Sequence, residues 1–215
     1  MLNTPQQTKS RNWDTLAWHI HHVICADNKI VAEYLTKLLA YWVQNPEKFG
    51  EVAIALMGAK GIGKSAFARV VQDWFQEHFV RLMIPAQITN YFNAHFADAL
   101  VVFVEEGFCR SDKQGENALK ELLTVETIQI NPKGSNSFSI PNRLKFLIAS
   151  NKAKLAPIVA DSQRCLVLNV SEAKRGDSVY FDKLHEAISS GESTAMLHDL
   201  LQYDLSTFNP HKRPC

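Results

Sequence analysis

The eight residues Gly58-Ala59-Lys60-Gly61-Ile62-Gly63-Lys64-Ser65 constrain this chain more than any other stretch of it. Glycine reaches backbone conformations that other residues resist, so Gly58, Gly61 and Gly63 allow a tight loop whose N–H groups converge on one point. The loop follows an apolar run, EVAIALM, and precedes a segment in which Phe67, Val70, Val71, Trp74 and Phe75 recur at helical spacing. A strand, a glycine loop and the start of a helix together form a cradle for phosphate, because the helix N-terminus presents free amides and a positive dipole end. The reading assigns Gly58, Ala59, Lys60, Gly61, Ile62, Gly63, Lys64, Ser65 and Ala66 to nucleotide contact. Lys64 would reach the β- and γ-phosphates of ATP, and the Ser65 hydroxyl would ligate Mg²⁺.

Four further apolar runs follow: VRLMI, ALVVFV, KFLIAS and RCLVLNV. Short continuous apolar runs separated by helical segments are the pattern of a parallel sheet buried on both faces. They predict a three-layer α/β core over residues 49–171. Helical segments flank it at 1–48 and 172–215. In the first, Val31, Tyr34, Leu35, Leu38, Leu39 and Trp42 share one face, Asp27 or Asn28 caps the start, and Pro46 ends the helix. The run His19-Ile20-His21-His22-Val23-Ile24-Cys25 raises a metal reading, since His21 and Cys25 are four apart. Its neighbours are apolar and no second ligand pair follows, which favours packing and surface roles.

Composition narrows the function. A net charge of +1 over 215 residues means that any nucleic-acid contact must use a local patch. No apolar run approaches the ~20 residues that cross a membrane. The first residues, MLNTPQQTKSRNWD, contain no hydrophobic signal core, so the expected location is cytoplasmic. Cys25, Cys109, Cys165 and Cys215 lack the paired spacing of a zinc site or disulfide framework.

A phosphate grip needs an acidic partner at the end of a neighbouring strand. The run Leu100-Val101-Val102-Phe103-Val104-Glu105-Glu106 supplies two carboxylates. Glu105 would hold the magnesium shell, where Asp is more usual, and Glu106 would orient and deprotonate the attacking water. A second carboxylate suits hydrolysis better than transfer to a small acceptor, and no NKxD-type guanine-reading motif is present. Downstream, TIQINPKGSNSFSI reads as two short strands around a Pro/Gly/Ser/Asn turn, a hairpin inserted before KFLIAS. Lys133 sits at its tip with Arg143 and Lys145 beyond, a candidate grip for a DNA backbone. KFLIAS ends in Asn151, placed to sense the γ-phosphate or its water.

These motifs together resemble the superfamily 3-type helicase domain of phage and plasmid primase–helicases, a branch of the AAA+ ATPases. The resemblance rests on YWVQNPEKFGEVAIALMG, GAKGIGKS, YFNAHFADALVVFVEE, ALKELLTVETIQINPKG, SIPNRLKFLIASN and DLLQYDLSTFNP, and covers about Trp13 to Pro210. It implies an AAA+-like P-loop core, ATP and Mg²⁺ as cofactors, and a ring, usually hexameric, that moves on single-stranded DNA or a forked duplex. It also implies a primase or polymerase partner, carried in the same chain or separate. By the same resemblance Lys133 is the pore-hairpin lysine. Arg164 is the arginine finger reaching a neighbouring subunit, with Gln163 where the family often has a second arginine.

Two other function classes fit the same residues. One is an AAA+ ATPase that remodels a protein, and the other is an ATP-binding replication scaffold with weak turnover. Stimulation of hydrolysis by single-stranded DNA separates the first, and steady-state turnover with Mg²⁺ the second.

Overall fold

A computed structural model of the chain describes residues 12–83, 86–105, 113–151 and 164–214. Its frame is a sheet of five parallel strands: β1 (Ala53–Met57), β2 (Phe79–Leu82), β3 (Val101–Val104), β6 (Lys145–Ser150) and β7 (Cys165–Asn169), in the order β2-β3-β6-β1-β7. The five apolar runs predicted as core strands are these five strands. Side chains alternate across a strand, so each strand feeds two cores. Ile54, Leu56, Phe103, Leu147 and Leu168 pack into one. Ala55, Met57, Val102, Val104, Phe146 and Ile148 pack into the other. Burial on both faces is why the strands read as continuous apolar runs.

The first face is covered by helices from both ends of the chain and by the helix after the phosphate loop. These are α1 (Asp14–Trp18), α2 (Lys29–Gln44), α3 (Lys64–Phe75), α6 (Ser178–Ser190) and α7 (Glu192–Leu201). A π-helical turn, His19–Ile24, continues α1. Asn28, one of the two expected caps, closes the start of α2, its side chain accepting from the Val31 N–H at 3.1 Å. Asp177 caps α6 in the same way through the Tyr180 N–H at 3.0 Å. Gly191, at φ +110°, ends α6 and admits α7 without a linker.

The opposite face carries α4 (Ala86–Thr89), α5 (Lys113–Leu122) and a hairpin of β4 (Thr127–Ile130) and β5 (Phe138–Pro141). The predicted hairpin is therefore present, antiparallel, with Ile130 opposite Phe138. Ile128 and Ile130 point into the core, while β5 is largely solvent-facing. The molecule is thus the three-layer α/β arrangement expected, with an inserted hairpin and helical flanks. No helix among the described residues is long and apolar enough to cross a membrane.

Candidate nucleotide site and hairpin

All five strands run the same way, so the sheet has two chemically different ends. At the C-terminal end, β1 passes into the phosphate loop. Gly58, Gly61 and Gly63 have φ of +151°, +78° and +104°, values that L side chains rarely adopt. At Gly58 and Gly63 sterics add to this: a Cβ would come within 2.6 Å of Ile62 Cδ1 and 2.5 Å of His19 Cε1 respectively. The Gly58 N–H donates to Ser150 O at 3.1 Å, tying the loop to the end of β6, and Asn151 follows directly, half-buried. Lys64 is 7% exposed, and its Nζ donates to Gly58 O at 2.7 Å and Ala59 O at 2.6 Å. Ser65 and Lys60 are exposed.

This loop forms one side of a cleft of about 1300 Å³. Lys60, Gly61, Gly63, Lys64, Ser65 and Ala66 line it together with Arg69 and Asp73 of α3. The far wall comes from Arg81, Glu105 and the C-terminal helices through Phe181, His185, Ser189 and Thr194. Its volume is large enough to take a nucleotide. Left-handed glycines, the start of a helix of 12 residues, one lysine inside the loop and a hydroxyl at its mouth are groups that could hold a phosphate chain and a cation.

Glu105 reaches the cleft paired with a residue that the sequence reading did not single out. Arg81, at the end of β2, donates to Glu105 Oε1 at 3.0 Å, with its guanidinium 5.1 Å from the centroid of Phe103. β2 and β3 pair Arg81 with Phe103, which brings the arginine to the acidic strand end. An arginine inside a predicted core strand was the available signal. Glu106 lies outside the described residues.

The hairpin is rooted at the other end of the sheet, where β5 leads into the start of β6. Lys133 is exposed in its turn beside Gly134 at φ +77°. The two basic residues expected to extend its reach are placed differently. Arg143 is half-buried and donates to Ala97 O at 3.2 Å. Lys145 is 0% exposed, its Nζ donating to Pro46 O and Lys48 O at 2.9 Å each and to Arg143 O at 3.2 Å. Burial pulls its ammonium down to about 8 from the ordinary lysine value. Lys145 has no free face for a DNA phosphate, and its assignment as a DNA contact is corrected to a buried clasp on the 46–48 turn.

Another feature flanks the hairpin. Asn93 Nδ2 donates to Gln129 O at 2.9 Å and its Oδ1 accepts from the Asn131 N–H at 2.8 Å, which docks the 91–93 segment on β4. Just before it, Tyr91 and Phe92 are 68% and 45% exposed, with ring centroids 5.4 Å apart. Phe138 on β5 is 47% exposed. The hairpin and the segment docked on it thus present a lysine tip and three open aromatic rings. The signal in the sequence was YF in a polar stretch, with no helical or strand period to bury it.

Arg164 precedes β7 at the same end as the hairpin root: its carbonyl accepts from the Ala53 N–H and its Nη1 donates to Leu123 O at 3.3 Å. The five residues of β1 separate it from its own phosphate loop, roughly 16 Å at about 3.3 Å per residue.

The histidine run divides. His19 is buried and meets the phosphate loop. His21, His22 and Asp27 bring ligand atoms within 4.8 Å of one another, but His22 Nδ1 is held by Asp27 Oδ1 at 2.5 Å and its ring packs on Trp18. Cys25, four residues after His21, is buried instead, its thiol pushed up to about 12 by desolvation.

Comparison with known proteins places this geometry among relatives. The family model of DUF5906, described as a family of unknown function, matches residues 56–165. A DNA primase-polymerase of Nitratiruptor phage NrS-1 is 26% identical over 175 residues, covering 80% of this chain and 24% of the relative. The apo structure of the NrS-1 C-terminal region superimposes with a TM-score of 0.76 at 21% identity, over 93% of this chain and 48% of that one. JCV helicase bound to a small molecule superimposes at 0.58 with 14% identity, over 93% and 56%. The chain therefore spans about a quarter of the phage relative and about half of each of these structures.

Proposed function

The chain belongs to the DUF5906 family, and from its own residues we propose that it is an ATP-driven motor acting on single-stranded DNA in phage or plasmid replication. The observation that carries this reading is the layout of one sheet. Its C-terminal end holds a phosphate loop and Glu105 on a cleft, with Asn151 directly after β6, and its N-terminal end roots a hairpin with a lysine tip and open aromatic rings on and beside it. β6 runs between them, from the hairpin root to Asn151. Likeness to a phage primase-polymerase and to a helicase fold supports the replication setting.

In this mechanism the loop amides and the start of α3 bind the phosphates, and Lys64 turns from Gly58 O and Ala59 O toward the β- and γ-oxygens. Ser65 and Glu105 are the residues that would hold Mg²⁺, which would supply charge neutralisation on the phosphates. Glu106 takes the proton of the attacking water, and Asn151 orients that water against the γ-phosphate. Movement of the β3 and β6 ends passes along β6 to the hairpin. There Lys133 grips a backbone phosphate while Tyr91, Phe92 and Phe138 offer stacking faces to bases, a sequence-tolerant mode of binding.

Arg164 lies too far from its own cleft to serve it, so its role as a finger requires a neighbouring subunit. Each complete site would then lie between two copies in a ring, hexameric by the family resemblance, and a primase-polymerase domain or protein is the expected partner. Arg164→Ala and Lys64→Ala should each hydrolyse ATP poorly, and their mixture should recover turnover, because one mixed interface combines a good lysine with a good arginine. Absence of recovery, with turnover per subunit independent of protein concentration, would contradict the shared site. A second reading, an ATP-binding replication scaffold of low turnover, is favoured by one observation: Arg81 already holds Glu105. Steady-state hydrolysis with Mg²⁺ near background would select it.

A further inference from the structure

We propose that His19 and Tyr180 are positioning residues that hold the Gly63 peptide of the phosphate loop, and through it aim the Lys64 amide at the bound phosphate. The part concerning phosphate rests on the nucleotide reading above. The bracket itself rests on geometry. His19 Nε2 lies 3.3 Å from Gly63 O, and His19 Nδ1 lies 2.6 Å from the Tyr180 hydroxyl. A carbonyl can only accept, so Nε2 carries the proton and Nδ1 accepts from the tyrosine. This tautomer is neutral, and burial keeps it so by pulling the imidazole down to about 4.

The Gly63 carbonyl is also the first acceptor of α3, taking the Phe67 N–H at 3.1 Å. A peptide unit is planar and trans, so its C=O and the following N–H point in opposite directions. Fixing Gly63 O with a second donor therefore fixes the Lys64 N–H on the side where an anion would sit at the helix start. The approach is close enough that Gly63 can carry no Cβ there: one would meet His19 Cε1 at 2.5 Å. Gly63 is thus required twice, by its φ of +104° and by the ring beside it.

Both arms of the bracket are themselves held. His19 opens a π-helical turn, His19–Ile24, a wide turn that recurs at functional sites and here buries His19, Ile20, Val23 and Ile24 together. Tyr180 sits in the first turn of α6, its N–H capped by Asp177, and packs edge-on against Trp18 at 5.4 Å. Residues 19 and 180, far apart in sequence, thereby meet on Gly63, the glycine of the GKS triplet.

The test separates the bracket from the nucleotide reading. Amide hydrogen exchange at Phe67, measured without nucleotide, reports whether Gly63 O is held. His19→Leu, which keeps bulk but no donor, should speed that exchange about tenfold. His19→Gln, which restores a donor near the Nε2 position, should stay within about threefold of wild type. Tyr180→Phe leaves the ring in place and should give an intermediate rate, which keeps the test valid if His19→Leu folds poorly. Binding of a fluorescent ATP analogue with Mg²⁺ should weaken in the same order, about tenfold, slightly and in between. Unchanged exchange in Tyr180→Phe and equal rates in His19→Leu and His19→Gln would overturn the bracket. Wild-type protein that binds no analogue, with the exchange pattern intact, would overturn the nucleotide reading and leave the bracket standing.

Discussion

The two ends of the sheet carry the two halves of the proposed activity, and they are built on opposite terms. At the phosphate-loop end the chemistry lies in backbone. Three glycines at positive φ, a helix start and a lysine held inside its own loop leave few side chains free to vary. At the hairpin end the backbone is an ordinary two-stranded turn, and the chemistry lies in exposed side chains: Lys133, Tyr91, Phe92 and Phe138. A site made of backbone leaves a mark in sequence, because only glycine accepts the geometry. A site made of exposed side chains leaves almost none, because solvent also accepts lysine and aromatic residues.

That contrast can be broken most forcefully at Lys64. Lys64→Ala should cut Mg²⁺-dependent ATP hydrolysis by at least about a hundredfold with the fold intact, since it removes the charge that the proposed mechanism turns toward the transferring phosphoryl group. A phosphate-release assay beside a thermal melt checks it, and near-normal turnover would dissolve the motif reading.

Lys145 sharpens the contrast from the other side. Lys145→Ala takes the shared donor from the carbonyls of Pro46, Lys48 and Arg143 and empties the space of a fully buried side chain, so denaturant unfolding should show a loss of about 2–4 kcal/mol. DNA affinity of the folded fraction should not change. A selective loss of DNA binding at unaltered stability would restore Lys145 to the DNA face.

His19 gives the first region a pH signature. Its folded value, about 4, lies below the 6.5 of an exposed imidazole. Between those values the unfolded chain binds the proton more readily, so the stability that His19 contributes is full above pH 6.5 and is lost as pH falls toward 4, about 3 kcal/mol over the window. Urea titrations at successive pH values should show a shallower fall in His19→Gln than in wild type. Parallel profiles would mean that the imidazole titrates normally in the fold.

The smallest expected effects belong to the hairpin. Phe92→Ala and Lys133→Ala should each weaken single-stranded DNA binding roughly tenfold or less, the first by loss of a stacking face. Only Lys133→Ala should also reduce the slope of log affinity against log salt, by about 1. Fluorescence anisotropy at several salt concentrations separates the two, and an equal change of slope in both would refute the division of labour.

The same contrast explains what was legible beforehand. The five core strands and the hairpin stood in the sequence because a doubly buried strand must be continuously apolar, and because the turn residues Pro132 and Gly134 separate two short strand runs. Lys133, Arg143 and Lys145 looked alike as three cations near a hairpin, yet one is exposed, one is tied to Ala97 O and one is enclosed by the 46–48 turn. Only the last left a trace: a lysine opening a central, doubly buried strand must find acceptors close by. Arg81 on Glu105 and the reach of His19 and Tyr180 to Gly63 are contacts between distant segments, which no local period encodes.

The central claim is that the two ends work as one machine, with the hairpin reporting to the cleft along β6. Steady-state ATP hydrolysis by wild-type protein and by Lys133→Ala, each with and without saturating single-stranded DNA, tests it most directly. DNA should raise the wild-type rate several-fold. Lys133→Ala should keep the DNA-free rate and lose most of the stimulation, even where DNA is added to saturation. A wild-type rate that is the same with and without DNA, or equal stimulation of Lys133→Ala, would contradict it.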